Sequence, residues 1–143
     1  MWIKTTQAGV ASSWPDILSK DDRIATRQGY SLVLHSENVD TRWSFEIYVN
    51  GTGYDVFGST DIADGSWHHI VGIRQGSSLL AYEDGVFANS GTGSSGSVSK
   101  NIPLRFAEAP NDSAGMAGEL DDVRIYNRAL SATEVANLYN VGR

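Results

Sequence analysis

From Arg42 to Val49, polar and apolar side chains alternate without a break. Trp43, Phe45, Ile47 and Val49 fall on one parity; Arg42, Ser44, Glu46 and Tyr48 fall on the other. Successive side chains of a strand point to opposite faces, so this run is a strand with one buried and one polar side. Tyr30–Ser36 follows the same rhythm. So does Trp67–Arg74, which groups Trp67, His69, Val71 and Ile73. Turn chemistry separates the runs. Asn50-Gly51-Thr52-Gly53 precedes Tyr54–Phe57, Asp84-Gly85 divides Ser78–Tyr82 from Val86–Ala88, and Asp64-Gly65-Ser66 introduces the Trp67 run. Asn-Gly and Asp-Gly supply the positive φ that a tight hairpin needs. Ile102–Phe106 and Leu120–Tyr126 read as the remaining strands, with Pro103 marking a strand start or an edge. The Gly/Ser-rich stretch Asn89–Lys100 reads as a flexible surface loop within the domain. Short strands at this spacing predict an all-β sandwich or barrel.

One helix is predicted, at about residues 131–140. Ser131-Ala132-Thr133-Glu134 has capping-box form, Leu130 and Val135 stand where a hydrophobic staple places them, and Val135, Leu138 and Tyr139 make an apolar stripe. The 143 residues suit a single domain spanning 1–143 with one core.

Bulk chemistry excludes several function classes. A net charge of −6 with no cluster of Lys and Arg argues against nucleic acid as partner. No apolar run approaches the length of a membrane span, so no membrane insertion is expected. The absence of cysteine excludes a disulfide scaffold, thiol catalysis and Cys-ligated zinc. Met1–Thr6 has neither the basic nor the apolar region of a signal peptide. The expectation is either a cytosolic protein or a piece of a longer exported chain.

The stretch Gly118-Glu119-Leu120-Asp121-Asp122-Val123-Arg124-Ile125-Tyr126-Asn127-Arg128-Ala129-Leu130-Ser131 and its continuation to Val135 closely resembles the closing motif of laminin-G-like, concanavalin-A-like lectin/glucanase jelly rolls, the pentraxin-related type. Trp67–Gly72 and Leu80–Val86 resemble further strands of that family, and Ile3–Thr6 and Ile17–Lys20 its early strands. The resemblance implies an antiparallel two-sheet jelly-roll sandwich with the one C-terminal helix. It also implies an extracellular or cell-surface setting and a recognition role toward carbohydrate or a protein partner. The family's usual first strand is missing ahead of Met1. The closing strand Leu120–Tyr126 is therefore expected to lack its partner and to leave an edge open to self-association as a homo-oligomer.

The candidate residues follow from these readings. Trp14 in Ser12-Ser13-Trp14-Pro15, Tyr54 after its Gly turn, and Tyr48 beside Arg42 and Glu46 on the polar face form the expected ligand surface; simple loop packing is the competing account. The resemblance implies calcium, with Asp121 as a ligand on the inward face with Val123 and Ile125. A carboxylate accepting backbone hydrogen bonds is the alternative. Glu119 and Asp121 match part of a glycosidase strand motif, and Val123 fills the position where a third acid belongs, leaving a glycoside hydrolase remnant as a further reading. His68 and His69 point to opposite faces and cannot chelate one ion; His68 is expected in solvent. Asn50 and Asn111 begin glycosylation-type triplets, of which Asn50 reads as a turn residue.

Overall fold

The computed structural model describes residues 1–7, 14–23, 26–37, 40–108 and 115–142. The Asn111 triplet lies outside them. Ten strands form two five-stranded sheets. The first runs in the order β10 (Glu119–Asp121), β1 (Trp2–Lys4), β6 (Trp67–Gln75), β7 (Ser78–Glu83), β8 (Val86–Thr92). The second runs β5 (Thr52–Phe57), β4 (Asp40–Val49), β3 (Gly29–Glu37), β2 (Asp16–Asp21), β9 (Arg105–Phe106). All strand pairs are antiparallel. This is the jelly-roll sandwich.

Two turns fix the registers. Asn50 and Gly51 take φ of 50° and 84°, and Asp84 and Gly85 take 49° and 81°. Each pair closes a two-residue hairpin, joining Val49 to Thr52 and Glu83 to Val86. The alternation of β4 then decides the core. Trp43 and Ile47 are buried inward with Leu34 of β3, Ile17 of β2 and Ile3, Ile70 and Leu79 of the first sheet. Burying each such aliphatic side chain contributes about 1.5–3 kcal/mol. Gly72 of β6 has no side chain because the Phe45 ring occupies its place: a Cβ there would lie 2.4 Å from Phe45 Cγ.

Helix α1 (Ala132–Val141) lies on the outer face of the first sheet. Ser131 caps it, its Oγ accepting from the Glu134 amide while the Glu134 carboxylate accepts from the Ser131 amide. Val135 and Leu130 bury against Ile73 and Tyr82, and Tyr139 stacks on Trp2 at 5.5 Å.

The structure corrects four expectations. The closing strand does have a partner: β1 pairs with it through Trp2↔Asp121, Ile3↔Leu120 and Lys4↔Glu119. It is also shorter than the predicted Leu120–Tyr126, since Asp122 takes φ 46° and breaks the strand. That break resets the parity, so Leu120 and Val123 both pack on the core and Asp121 is exposed rather than inward. Finally, Asn89–Lys100 is not a loose loop. Its first part is β8, and its second part is tied down by Gln28 Nε2, which donates to the Ser97 and Ser99 carbonyls.

Candidate functional site

The outer face of the second sheet carries Ser19 and Asp21 from β2, Ser31 and His35 from β3, and Ser44, Glu46 and Tyr48 from β4. Register places Ser31 opposite Glu46, and Ser19 opposite Ser31. A solvent-facing sheet would leave these groups wet. Here Ser19, Asp21, Ser31 and Ser44 are fully buried and Glu46 nearly so.

Two arginines of the segment after β2 fold back over the strands. Arg27 forks onto Asp21, its Nε donating at 2.8 Å and its Nη2 at 2.5 Å. The same guanidinium stacks 3.4 Å from the Tyr48 ring centroid and lies 3.8 Å from Glu46. Arg23 pairs with Asp16, which is fully buried at the start of β2. Glu46 is the hub. Its carboxylate accepts from Ser44 Oγ at 3.2 Å, Ser31 Oγ at 3.4 Å, Tyr48 OH at 3.2 Å and His35 Nε2 at 3.2 Å.

The electrostatics follow from this packing. Burial works to raise the Glu46 carboxyl, but the His35 bond, the Arg27 cation and the Tyr48 hydroxyl outweigh it and hold it below the usual carboxylate range. Burial and the Glu46 charge push the Tyr48 phenol up to about 12. Burial pushes the Asp16 carboxyl up to about 6, with Arg23 only partly offsetting it. The charged groups are thus committed to one another. The network gathers Asp21, Arg27, Glu46 and Tyr48 on one face of the sheet.

The exposed part of the site stands at the other end of β3. The Trp14 ring lies 5.3 Å from His35, which also meets Phe57 edge-on at 5.0 Å. His35 is buried while Trp14 is 54% exposed. Arg42, exposed, is opposite His35 in the β3–β4 register.

Of the five ligand-surface residues expected from sequence, four lie on this face: Trp14, Arg42, Glu46 and Tyr48. Tyr54 does not. It is opposite Ile47 and packs on the core. The signal was present in the sequence: a two-residue Asn50-Gly51 turn pairs 49 with 52, hence 47 with 54, and directly opposed residues share a face. Asp21, Arg23, Arg27 and His35 are the members that sequence reasoning missed.

Asp121 offers one exposed carboxylate, whose Oδ1 accepts from the Asp122 amide, while Asp122 engages Arg124. Among the described residues no group of three His, Asp or Glu side chains gathers to hold a metal. Calcium takes six to eight oxygens, more than the described carboxylates beside Asp121 supply by themselves. Glu119 is likewise exposed, pairing with Lys4.

The histidine pair of β6 is structural. His68, rather than standing in solvent, bridges Asp84 at 3.0 Å and Asp64 at 3.2 Å. Burial disfavours its cation, but those two carboxylates more than compensate and raise its pKa. His69, wedged between Trp2 and Tyr139, is driven down to about 4 by burial and then by the Met1 ammonium. The two therefore act in opposite directions. The His68 contribution to stability is full below about pH 6.5 and fades as pH rises through its raised folded value. The His69 contribution is full above about pH 6.5 and is lost as pH falls toward 4, by up to about 3 kcal/mol. Urea unfolding across pH 4–8 is expected to show the acid limb flattened in His69→Phe and the difference between wild type and His68→Asn shrinking above neutrality. An unchanged acid limb in His69→Phe would contradict this account.

Sheet order, the paired platforms and the C-terminal helix define a jelly-roll sandwich domain. The chain belongs to the concanavalin A-like lectin/glucanases superfamily, whose laminin-G-type sequence model matches residues 1–136. It is similar in fold to the binding domain of Paraclostridial Mosquitocidal Protein 1 (TM-score 0.70, 18% identity, 99% of this chain and 36% of that one). It is also similar to the native heptameric SAP-like pentraxin from Limulus polyphemus (TM-score 0.69, 14% identity, 96% of this chain and 66% of that one). The chain thus spans only part of the length of each. No curated protein sequence matches it. Among the described residues no helix is long and apolar enough to cross a membrane.

Proposed function

We propose that this domain is a non-catalytic carbohydrate-binding module, working outside the cell, with its ligand laid on the outer face of the second sheet against Trp14. The observation that carries the reading is the Trp14 indole: more than half exposed, yet set beside a buried His35 that Glu46 pins in place. A flat apolar ring beside polar groups is what a sugar's C–H face and hydroxyls require. Arg42 supplies hydrogen-bond donors at the same end of the sheet. The fold similarity to the binding domain of a mosquitocidal protein agrees with this reading without specifying a ligand. A non-catalytic role is supported by the commitment of Glu46 to protein partners and by the placement of Glu119 and Asp121 at an exposed sheet edge.

A glycan array run with and without calcium tests the proposal. Binding to at least one glycan class is expected, equal in both conditions, and Trp14→Ala should weaken it at least tenfold. Phe87→Ala, which removes a similarly exposed ring from β8 on the other sheet, should leave it intact. Undiminished binding in Trp14→Ala, or no binding to any glycan, would overturn the assignment.

A further inference from the structure

At three places a glycine follows an acid or its amide: Asn50-Gly51, Asp64-Gly65 and Asp84-Gly85. Each glycine has a positive φ, at 84°, 81° and 81°. Such steps share a latent reaction. No side chain shields the glycine nitrogen, so once it loses its proton it can reach the side-chain carbonyl carbon of the residue before it. In two of the three that side chain is already engaged. Asp64 Oδ1 accepts from the Ser66 amide at 2.7 Å, and Asp84 accepts from the His69 amide at 2.9 Å and meets His68 at 3.0 Å. Both are carboxylates, and an ionised carboxylate has no good leaving group. Asn50 is an amide, which can release ammonia, and it stands exposed at the tip of the β4–β5 hairpin.

The fold intervenes at the nucleophile. The Gly51 N–H donates to the Arg27 carbonyl at 2.9 Å, a bond outside the β4–β5 ladder. Until that bond opens, base cannot take the proton and the nitrogen cannot turn toward Asn50 Cγ. Arg27 is seated by its other end. Its guanidinium forks onto Asp21, stacks 3.4 Å from the Tyr48 ring centroid and lies 3.8 Å from Glu46. The Tyr48 ring in turn lies against Gly53 of the same hairpin, where a Cβ would be 2.7 Å from Tyr48 Cε1. One residue therefore joins the hairpin tip, through its carbonyl, to the ion-pair network, through its guanidinium.

We infer that Asn50 is a deamidation site gated by Arg27, shut while the Arg27 carbonyl holds the Gly51 amide and open once Arg27 lifts away. In the open state the Gly51 nitrogen gives its proton to solvent base and bonds to Asn50 Cγ. The Cγ–Nδ2 bond breaks, and the nitrogen leaves as ammonia after taking a proton from water. Water then opens the resulting five-membered imide at either carbonyl. One opening leaves an aspartate at position 50 with the backbone unchanged. The other leaves an isoaspartate, whose backbone runs through the former side chain and is longer by one methylene. A two-residue turn joins Val49 to Thr52, and the longer backbone cannot keep that register. Either product adds one negative charge beside the Arg27 carbonyl. A transient opening of the Arg27 network is thereby recorded as a permanent change in the hairpin.

The test incubates wild type and Arg27→Lys at neutral pH beside the free peptide Tyr-Val-Asn-Gly-Thr-Gly-Tyr, which is the sequence of residues 48–54. Peptide mapping follows the gain of one mass unit at Asn50, and amide hydrogen exchange follows Gly51 in the same samples. The folded wild type should deamidate at least tenfold more slowly than the peptide. Arg27→Lys loses the planar fork and the stacking, so it should speed deamidation and Gly51 exchange several-fold and by similar factors. Wild type in urea below its unfolding transition gives a second measurement that needs no variant to fold. There too the two rates should rise together, because one opening controls both. Asn50→Gln should remove the mass gain at this position. Deamidation of folded wild type at the peptide's rate would overturn the gate. A rise in Gly51 exchange with no rise in deamidation would also overturn it, and would assign the protection to the hairpin backbone instead of Arg27.

Discussion

Glu83→Ala is expected to cost about 4 kcal/mol of folding stability, a large share of the roughly 5–15 kcal/mol that holds a domain together. Glu83 ends β7 in the first sheet, and its carboxylate reaches across the sandwich. Oε1 accepts from Trp43 Nε1 at 2.7 Å and from the Ser59 amide at 3.0 Å. Oε2 accepts from Ser59 Oγ at 2.8 Å and Thr60 Oγ1 at 3.1 Å. Trp43 is fully buried in β4 of the second sheet, so this side chain ties the two layers together. Alanine leaves the indole N–H without a partner where water does not reach, and a stranded buried donor costs about 1–3 kcal/mol before the lost charge-assisted bonds are added. Glu83→Gln keeps the Oε1 acceptor and should cost about half as much. Urea unfolding of the two variants measures the ranking; a loss below 1 kcal/mol in Glu83→Ala would refute the inter-sheet tie.

Glu83 also shows how far the sequence could be read. The local devices were legible. The Asn50-Gly51 and Asp84-Gly85 hairpins and the Ser131–Glu134 capping box are decided by residues within four positions of one another. The buried face of β4 was legible for the same reason, since alternation is a property of neighbours. Glu83 next to a turn looks like a solvent-facing acid. Its partner Trp43 is forty residues away, and the contact exists only once both sheets have formed. Asp121 failed differently. Counting parity from Val123 and Ile125 assumes an unbroken strand, and the left-handed backbone at Asp122 breaks it.

The candidate site divides along the same line. Trp14, Arg42, Glu46 and Tyr48 were found because one is an aromatic beside a proline and three alternate along one strand. The roof over Glu46 was not found. Arg23 and Arg27 read as ordinary charges in a polar segment, and nothing local distinguishes them from solvated side chains. Their role comes from their placement in the folded chain, which sets Arg27 on Asp21, Tyr48 and Glu46 together. A polar outer face reads as wet from alternation alone, and the packing of Arg27 over Asp21 and Tyr48 makes it dry.

That roof sets the second large effect. Arg27→Ala is expected to cost about 3–5 kcal/mol, the range for breaking a buried ion pair by removing one partner. Asp21 has no solvent exposure. Without Arg27 it keeps the Arg23 amide at 2.8 Å and an Arg23 Nε 4.0 Å away, too little to replace a bidentate fork. Arg27→Lys should recover less than half of the loss, because an ammonium carries charge but neither the planar fork nor the stacking on Tyr48. The double variant Asp21→Asn with Arg27→Ala should be less destabilised than the sum of its singles, since it removes the stranded charge along with its partner. Arg128→Ala provides the contrast: its pair with Glu134 is exposed and should be worth little. Additive losses in the double variant would show that Arg27 and Asp21 act independently. A less-than-additive cycle would establish that Arg27 and Asp21 act as one pair beneath the Tyr48 ring and beside Glu46.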